Sequence, residues 1–331
     1  MTSREIAEML NNLSENDKKI LFELLQEEES EDISVDSLFS NGISCPICGG
    51  VEKIVKNGKR SETQRYICKH CNKSFVANTN SILERTHKPL SVWKKFLECM
   101  VHGMSILKTA EICEINKNTA FAWRHKVLDA LSQIMEDAAL EGIVEADETF
   151  FILSYKGQKS DLPRKPKKRG ESASKRGLSR EQVCVPCAID RKGKVVSKVS
   201  NLGRIQTQGL HRVFDGKIKN KSILCTDKAS AYVRFSADND LKLIQLKGGK
   251  EKFDFYHINH VNAYHSELKR FMKTFKGVST KYLNNYLTWN IFASKRGTIK
   301  EKVNGMLDGI CKANLVEHFT DISNRPNLPI F

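Results

Sequence analysis

Four cysteines in two matched pairs constrain this chain more than any other feature. Cys45-Pro-Ile-Cys48 and Cys68-Lys-His-Cys71 are separated by 19 residues. Each Cys-x-x-Cys sets two thiolates on one tight turn, and two such turns complete a tetrahedral zinc site. The spacing falls in the range of structural zinc modules, and Gly49 and Gly50 permit the turn after the first knuckle. Four thiolates leave no open coordination position, so the expected zinc is structural; His70, inside the second knuckle, is the weaker ligand. Cys184-Val-Pro-Cys187 sits in a strand-like apolar run with no partner pair, and a buried, unreactive role is expected there.

Charge narrows the partner. Lys and Arg number 54 against 39 acids, a net charge of +15. Residues 1–40 hold 3 basic and 11 acidic side chains, so the remainder carries 51 basic groups against 28 acidic. A body that basic behind an acidic head points to a polyanion, double-stranded DNA first among them. No run approaches the roughly 18 apolar residues that span a bilayer, and the opening MTSREIAEML has neither a basic nor an apolar leader segment. The expectation is a cytoplasmic, nucleoid-associated protein with no membrane partner and reduced cysteines.

Periodicity divides the chain. Residues 1–40 read as an acidic helical head and linker, and residues 41–80 as a zinc ribbon. Residues 85–135 read as a helix-turn-helix region. There Ser105 caps a first helix, Ile115 buries at the turn, and Asn116 caps a second. Ala120, Trp123 and Val127 share the second helix's apolar face. Lys117, Asn118, Arg124 and Lys126 are placed on its other faces, as candidates to meet a DNA groove.

From residue 143 to 246, short apolar runs alternate with turn signals and read as strands of one sheet, with a crossover helix near 205–217. Asp147 lies within one run and Asp227 closes another. An acid in an apolar strand is costly unless a cation offsets it. Two such strands side by side offer hard oxygen ligands to Mg²⁺. Residues 261–275 project as a helix with Val261, Tyr264, Leu268, Phe271, Met272 and Phe275 on one face. Asn262 and Lys269 stack nearly two turns apart on another side, and Glu267 falls about 140° from Asn262. Between Asp147 and this helix runs a basic segment from Tyr155 to Arg176, with Lys165, Lys167, Lys168 and Arg169 at its centre, read as an arm that holds DNA backbone.

Asp147, Asp227 and then His257-Ile-Asn259-His-Val-Asn262-Ala-Tyr-His265-Ser-Glu267-Leu-Lys269-Arg270 resemble the catalytic signature of bacterial insertion-sequence transposases, the group numbered fifteen-ninety-five. Its members carry an Asp-Asp-Asn-Lys or Asp-Asp-Glu-Lys set, often behind an N-terminal zinc ribbon. The resemblance spans roughly residues 41–295 and implies an α/β, ribonuclease-H-like core over residues 140–295, followed by a C-terminal tail over 296–331. It further implies two Mg²⁺ (or Mn²⁺) ions on Asp147 and Asp227, with Asn262 as third ligand and Lys269 positioning DNA. Glu267 and, more weakly, His265 are the substitutes for Asn262. The implied reaction is cleavage at the element's terminal repeats and joining to target DNA by a homodimer or larger synaptic complex.

Overall fold

The computed structural model describes residues 14, 17, 43–60, 63–84, 86–135, 139–158, 162, 164, 166, 173–175, 177–247, 255–313 and 315–326. The acidic head therefore lies outside the described residues, apart from Ser14 and Asp17. So do Lys165, Lys167, Lys168 and Arg169 of the basic arm. Two compact units are present: residues 1–77 with 86–95, and residues 78–85 with 96–331.

The first unit holds a three-stranded antiparallel sheet in the order β1 (Ile54–Arg60), β2 (Thr63–Cys68), β3 (Lys73–Phe75). Tyr66 and Phe75 pair across β2 and β3 and stack with ring centroids 5.7 Å apart, giving this small unit most of its apolar centre. Gly49 takes φ of +72°, the left-handed conformation the first knuckle needs.

In the second unit the helical region comprises α1 (Leu90–Val101, which begins in the first unit), α2 (Ile106–Ile112) and α3 (Lys117–Met135). The Ser105 side chain accepts from the Lys108 amide and the Asn116 side chain from the Asn118 amide, so both expected caps form. Ala120, Trp123 and Val127 are buried on α3.

The core is a five-stranded mixed sheet of β4 (Ile143–Ile152), β5 (Gln182–Asp190), β6 (Val195–Ser197), β7 (Ile223–Thr226) and β8 (Lys242–Gln245). Its spatial order is β6-β5-β4-β7-β8; the β6/β5/β4 pairs are antiparallel and the β4/β7/β8 pairs parallel. A parallel return needs a crossover, supplied by α4 (Thr207–Phe214) before β7 and α5 (Ala231–Asp238) before β8. Strand alternation then sorts β4. Val144 and Ala146 face the apolar layer formed with Leu210, Phe214, Tyr232 and Phe235, while Glu145, Asp147 and Thr149 face the opposite side. That side is covered by α6 (Asn259–Thr274), which packs on β4 and β5. A mixed sheet of this order with helices on both faces is the ribonuclease-H-like core that the resemblance implies.

The segment after residue 295 is helical rather than a plain tail. After α7 (Leu283–Ala293) come α8 (Ile299–Lys312) and α9 (Phe319–Ser323). Thr298 and Glu301 form a reciprocal capping box at the start of α8, a Thr-x-x-Glu pattern visible in the sequence. Helices α7, α8 and α9 all pack on α3. Arg325 closes the arrangement, meeting Asp129 of α3 at 2.5 Å and Glu317 at 2.8 Å.

Candidate active site and metal centre

In the first unit the four knuckle thiols converge. Cys45 Sγ lies 3.7 Å from Cys71 Sγ, and Cys48 Sγ lies 3.7 Å from Cys68 Sγ. All four sulfur atoms fall within 4.8 Å of one another. A tetrahedron with metal–sulfur bonds of 2.3 Å has edges of about 3.8 Å, so the sulfur cage fits a zinc ion. The Cys71 amide, first among its influences, lowers the Cys68 thiol to about 7. The Gly50 amide lowers Cys48, but desolvation and the neighbouring thiols outweigh it and push that group up to about 12. Accumulating thiolates oppose one another until a cation sits among them.

In the core, backbone register assembles the carboxylates. β4 pairs with β7 at Ile143–Ile223, Val144–Leu224 and Glu145–Cys225. Asp147 and Asp227 each stand two residues beyond that last pair, so the parallel register sets them next to one another across the two strands. Burial first, and then the charge of Asp227, push the Asp147 carboxyl up to about 6, against the lowering effects of the Glu148 amide and Lys269. Glu148, on the other face of β4, is pushed to about 7 by burial, helped by the charges of Asp147 and Asp227. Three acids are thus gathered midway along β4 and just past the end of β7, with Glu148 on the sheet face opposite Asp147, towards Tyr232.

Helix α6 brings its own groups to this edge. Val261, Tyr264, His265, Leu268 and Met272 are buried against the sheet. His265 Nδ1 lies 3.7 Å from Asp147 Oδ2, and burial followed by the nearby Lys269 charge lowers the imidazole to about 4, so it is neutral at physiological pH. Its Nε2 is buried without a partner. Asn262 is half-buried one turn earlier, beside this stripe, and Lys269 is exposed one turn later. Glu267 is exposed on the other flank and its charge acts on Tyr264 rather than on Asp147.

A second constellation, which sequence reasoning missed, fixes where α6 begins. Glu145 is 1% exposed. Its Oε2 accepts from the His260 and Val261 amides at 2.7 and 3.2 Å. Its Oε1 meets His260 Nδ1 at 2.6 Å, Arg191 Nη1 at 2.8 Å and His257 Nδ1 at 3.2 Å. Glu145, His257 and His260 have the spacing of a metal-binding trio. Arg191 already occupies that position, however, with Nη1 also 2.7 Å from His260 Nδ1 and 3.1 Å from His257 Nε2. The result is a carboxylate clamp that docks the first turn of α6 on β4, two residues before Asp147. The sequence signal was available: in Val144-Glu145-Ala146-Asp147 the two acids share one face of a strand.

The predicted DNA contacts fare unevenly. Lys117 and Asn118 are exposed at the start of α3, and Lys126 is half-buried. Arg124 requires a correction, because it is 1% exposed and therefore cannot meet a groove. Its Nη2 donates to the Met104 carbonyl at 2.6 Å, and its guanidinium lies 4.7 Å from the Trp289 ring centroid. Arg124 projects about 40° from Ala120 and so belongs to the apolar stripe, which a closer reading of the wheel reveals. In the basic arm, Lys156 Nζ donates to the Gly277 carbonyl at 2.7 Å and Arg164 Nη2 to the Leu153 carbonyl at 2.7 Å. These two cations serve the fold. The cysteines at 184 and 187 are buried, and burial pushes Cys187 up to about 12, as expected of unreactive thiols.

Comparison with known proteins places this geometry. Residues 139–292 match the family described as the ISXO2-like transposase domain. An uncharacterized protein in transposable element ISH50 of Halobacterium salinarum is 24% identical over 252 residues, covering 75% of this chain and 83% of its own. Among solved structures, the Mos1 mariner paired-end complex with Mn is 12% identical over 70% of this chain and 80% of its own, with a TM-score of 0.27. The Mos1 transposase paired-end complex with left transposon end gives 13%, 75%, 83% and 0.26. At these TM-scores the fold assignment rests on the sheet itself.

Proposed function

We propose that this chain, which through residues 139–292 belongs to the ISXO2-like transposases, cleaves the terminal repeats of an insertion sequence and joins them to target DNA. The observation that carries the proposal is the register that sets Asp147 beside Asp227, with Asp147 held near 6 by burial and by its neighbour. Two hard carboxylates whose charge is incompletely balanced are a donor set suited to Mg²⁺ or Mn²⁺. The chemistry that bound divalent ions supply at such a pair is activation of a water or 3′-hydroxyl and stabilisation of the leaving oxygen.

The remaining roles belong to the chain itself. Asn262 supplies a neutral oxygen as third ligand, and Lys269 beside it attracts a phosphate. His265, neutral and adjacent to Asp147, is the first substitute for Asn262; Glu267, on the far flank, is the second. Lys117 and Asn118 at the start of α3 face the DNA, with Lys126 as an outer contact. The Cys45–Cys48–Cys68–Cys71 cage holds structural zinc, and DNA ends are brought together by a homodimer or larger assembly.

The test uses full-length protein, duplexes carrying the element's ends, and Mg²⁺ or Mn²⁺, scoring cut and joined products. Asp147→Ala and Asp227→Ala should each abolish both products while leaving DNA binding nearly intact. Asn262→Ala should be severe, Asn262→Asp milder, and Glu267→Ala close to wild type. Full activity in Asp147→Ala would refute the site. An inactive His265→Ala or Glu267→Ala beside an active Asn262→Ala would move the third ligand accordingly.

A further inference from the structure

Away from the carboxylates, the second unit contains a cavity of about 1150 Å³. It is bounded by the β5–β6 turn with β6, the ends of α3 and α4, and one side of α7 with the bend after it. β6 is an edge strand on the opposite side of β4 from β7, so the cavity opens on the sheet edge remote from Asp227. Its described lining includes eight Lys or Arg, of which Arg191 and Lys192 are paired with Glu145 and Glu141, and one acid, Asp215. Asp215 is itself engaged, with Oδ1 2.8 Å from His211 Nδ1. Lys198, Lys295 and Arg296 are exposed on the rim and form no ion pair among the described residues. Like charges gathered around one concavity repel one another and focus a positive potential into it, which favours a polyanion. The concavity also exceeds what a single phosphate group would fill.

We infer that this groove holds the phosphate backbone of a DNA duplex at a distance from the bond being cut. The inference rests on the transposase reading, yet it concerns residues outside the carboxylate cluster, the helix-turn-helix and the basic arm. Backbone contacts of this kind fix the register of DNA on a protein without reading its sequence. The groove therefore binds any duplex and discriminates little.

The test measures affinity of the full chain for a duplex of unrelated sequence across a series of salt concentrations. A triple variant, Lys198→Glu, Lys295→Glu and Arg296→Glu, should reduce the steepness of log affinity against log salt by about 2.7 if each residue meets one phosphate. A control reversing Lys221, Arg234 and Lys242, exposed near the β8 edge, should change it far less. Benzoylphenylalanine at position 198 should photo-crosslink to the duplex. An unchanged slope with no crosslink overturns the inference, as does a control that loses as much as the triple variant. A crosslink abolished by pyrophosphate but not by competitor duplex would reassign the groove to a small anion and overturn it too. If the wild-type chain cuts no DNA with either metal, the catalytic reading fails, while slope and crosslink still decide the groove.

Discussion

Replacing Glu145 with alanine removes the group on which the first turn of α6 is docked. Five nitrogen atoms converge on this 1% exposed carboxylate, two of them on Oε2 and three on Oε1. Alanine strands the Arg191 guanidinium and two backbone amides at once. Breaking a buried ion pair from one side costs about 3–5 kcal/mol, and the individual hydrogen bonds cannot be added on top because they share a single acceptor group. We therefore expect a loss of about 4 kcal/mol for Glu145→Ala. Glu145→Gln separates the two oxygens. Its carbonyl can keep both amides, but its NH₂ then faces Arg191 and the two imidazoles, so roughly half the loss should remain. Chemical denaturation with a conserved slope would measure both values, and end cleavage would report whether α6 still holds His265 and Lys269 beside Asp147. A Glu145→Ala protein within 1 kcal/mol of wild type would refute the clamp. So would a Gln variant as unstable as the Ala variant, since it would remove the distinction between the two oxygens.

Three further outcomes follow from other parts of the molecule. Metal analysis of freshly purified, reduced protein should find one zinc per chain, lost in Cys68→Ser, with chelation unfolding the first unit. Asp147 has its folded-state pKa raised from 3.8 to about 6, so without divalent ions stability is highest below pH 4 with respect to this group and is lost as pH rises through 6. The loss is about 3 kcal/mol, and thermal melts should show it removed by Asp147→Asn and partly relieved by Mg²⁺ in wild type alone. Gly209→Ala would place a Cβ 2.3 Å from Ser200 Oγ and 2.7 Å from Asn201 Oδ1, both in buried residues. The resulting overpacking should cost about 1–3 kcal/mol in urea denaturation.

What the sequence disclosed depended on the range of the interaction. The zinc cage follows from two local spacings, and the caps at Ser105 and Asn116 from single residues beside their helices. Asp147 within one strand and Asp227 at the close of another were legible because a carboxylate in or beside an apolar run stands out. That the two lie side by side is a matter of β4–β7 register, set by the whole crossover through α4. Glu145 was passed over because its partners come from residues 191, 257 and 260, and no local pattern links them. Arg124 was misassigned for a different reason: a cation was presumed to face water, whereas Trp289 and the Met104 carbonyl accommodate it in the interior. The 296–331 segment concealed a helix whose Thr298–Glu301 box was present in plain view.

Helix α3 has 19 residues and thus runs about 28 Å. Its first turn exposes Lys117 and Asn118, while Val127, Leu128 and Leu131 are buried and its flanks are gripped by α7, α8 and Arg325. It behaves as a cantilever with an exposed tip and a root set in the body that carries Asp147 and Asp227; under the function proposed above, that tip is the end offered to DNA. Cutting the chain near residue 136 would uproot it, so the helix-turn-helix cannot be lifted out as an interchangeable cassette. Any drift in the DNA sequence favoured at the tip must then occur by surface changes at that tip. Under the proposed function, the distance from a sequence bound at the tip to the carboxylates is set by this beam, and with it the offset at which a related element would be cut.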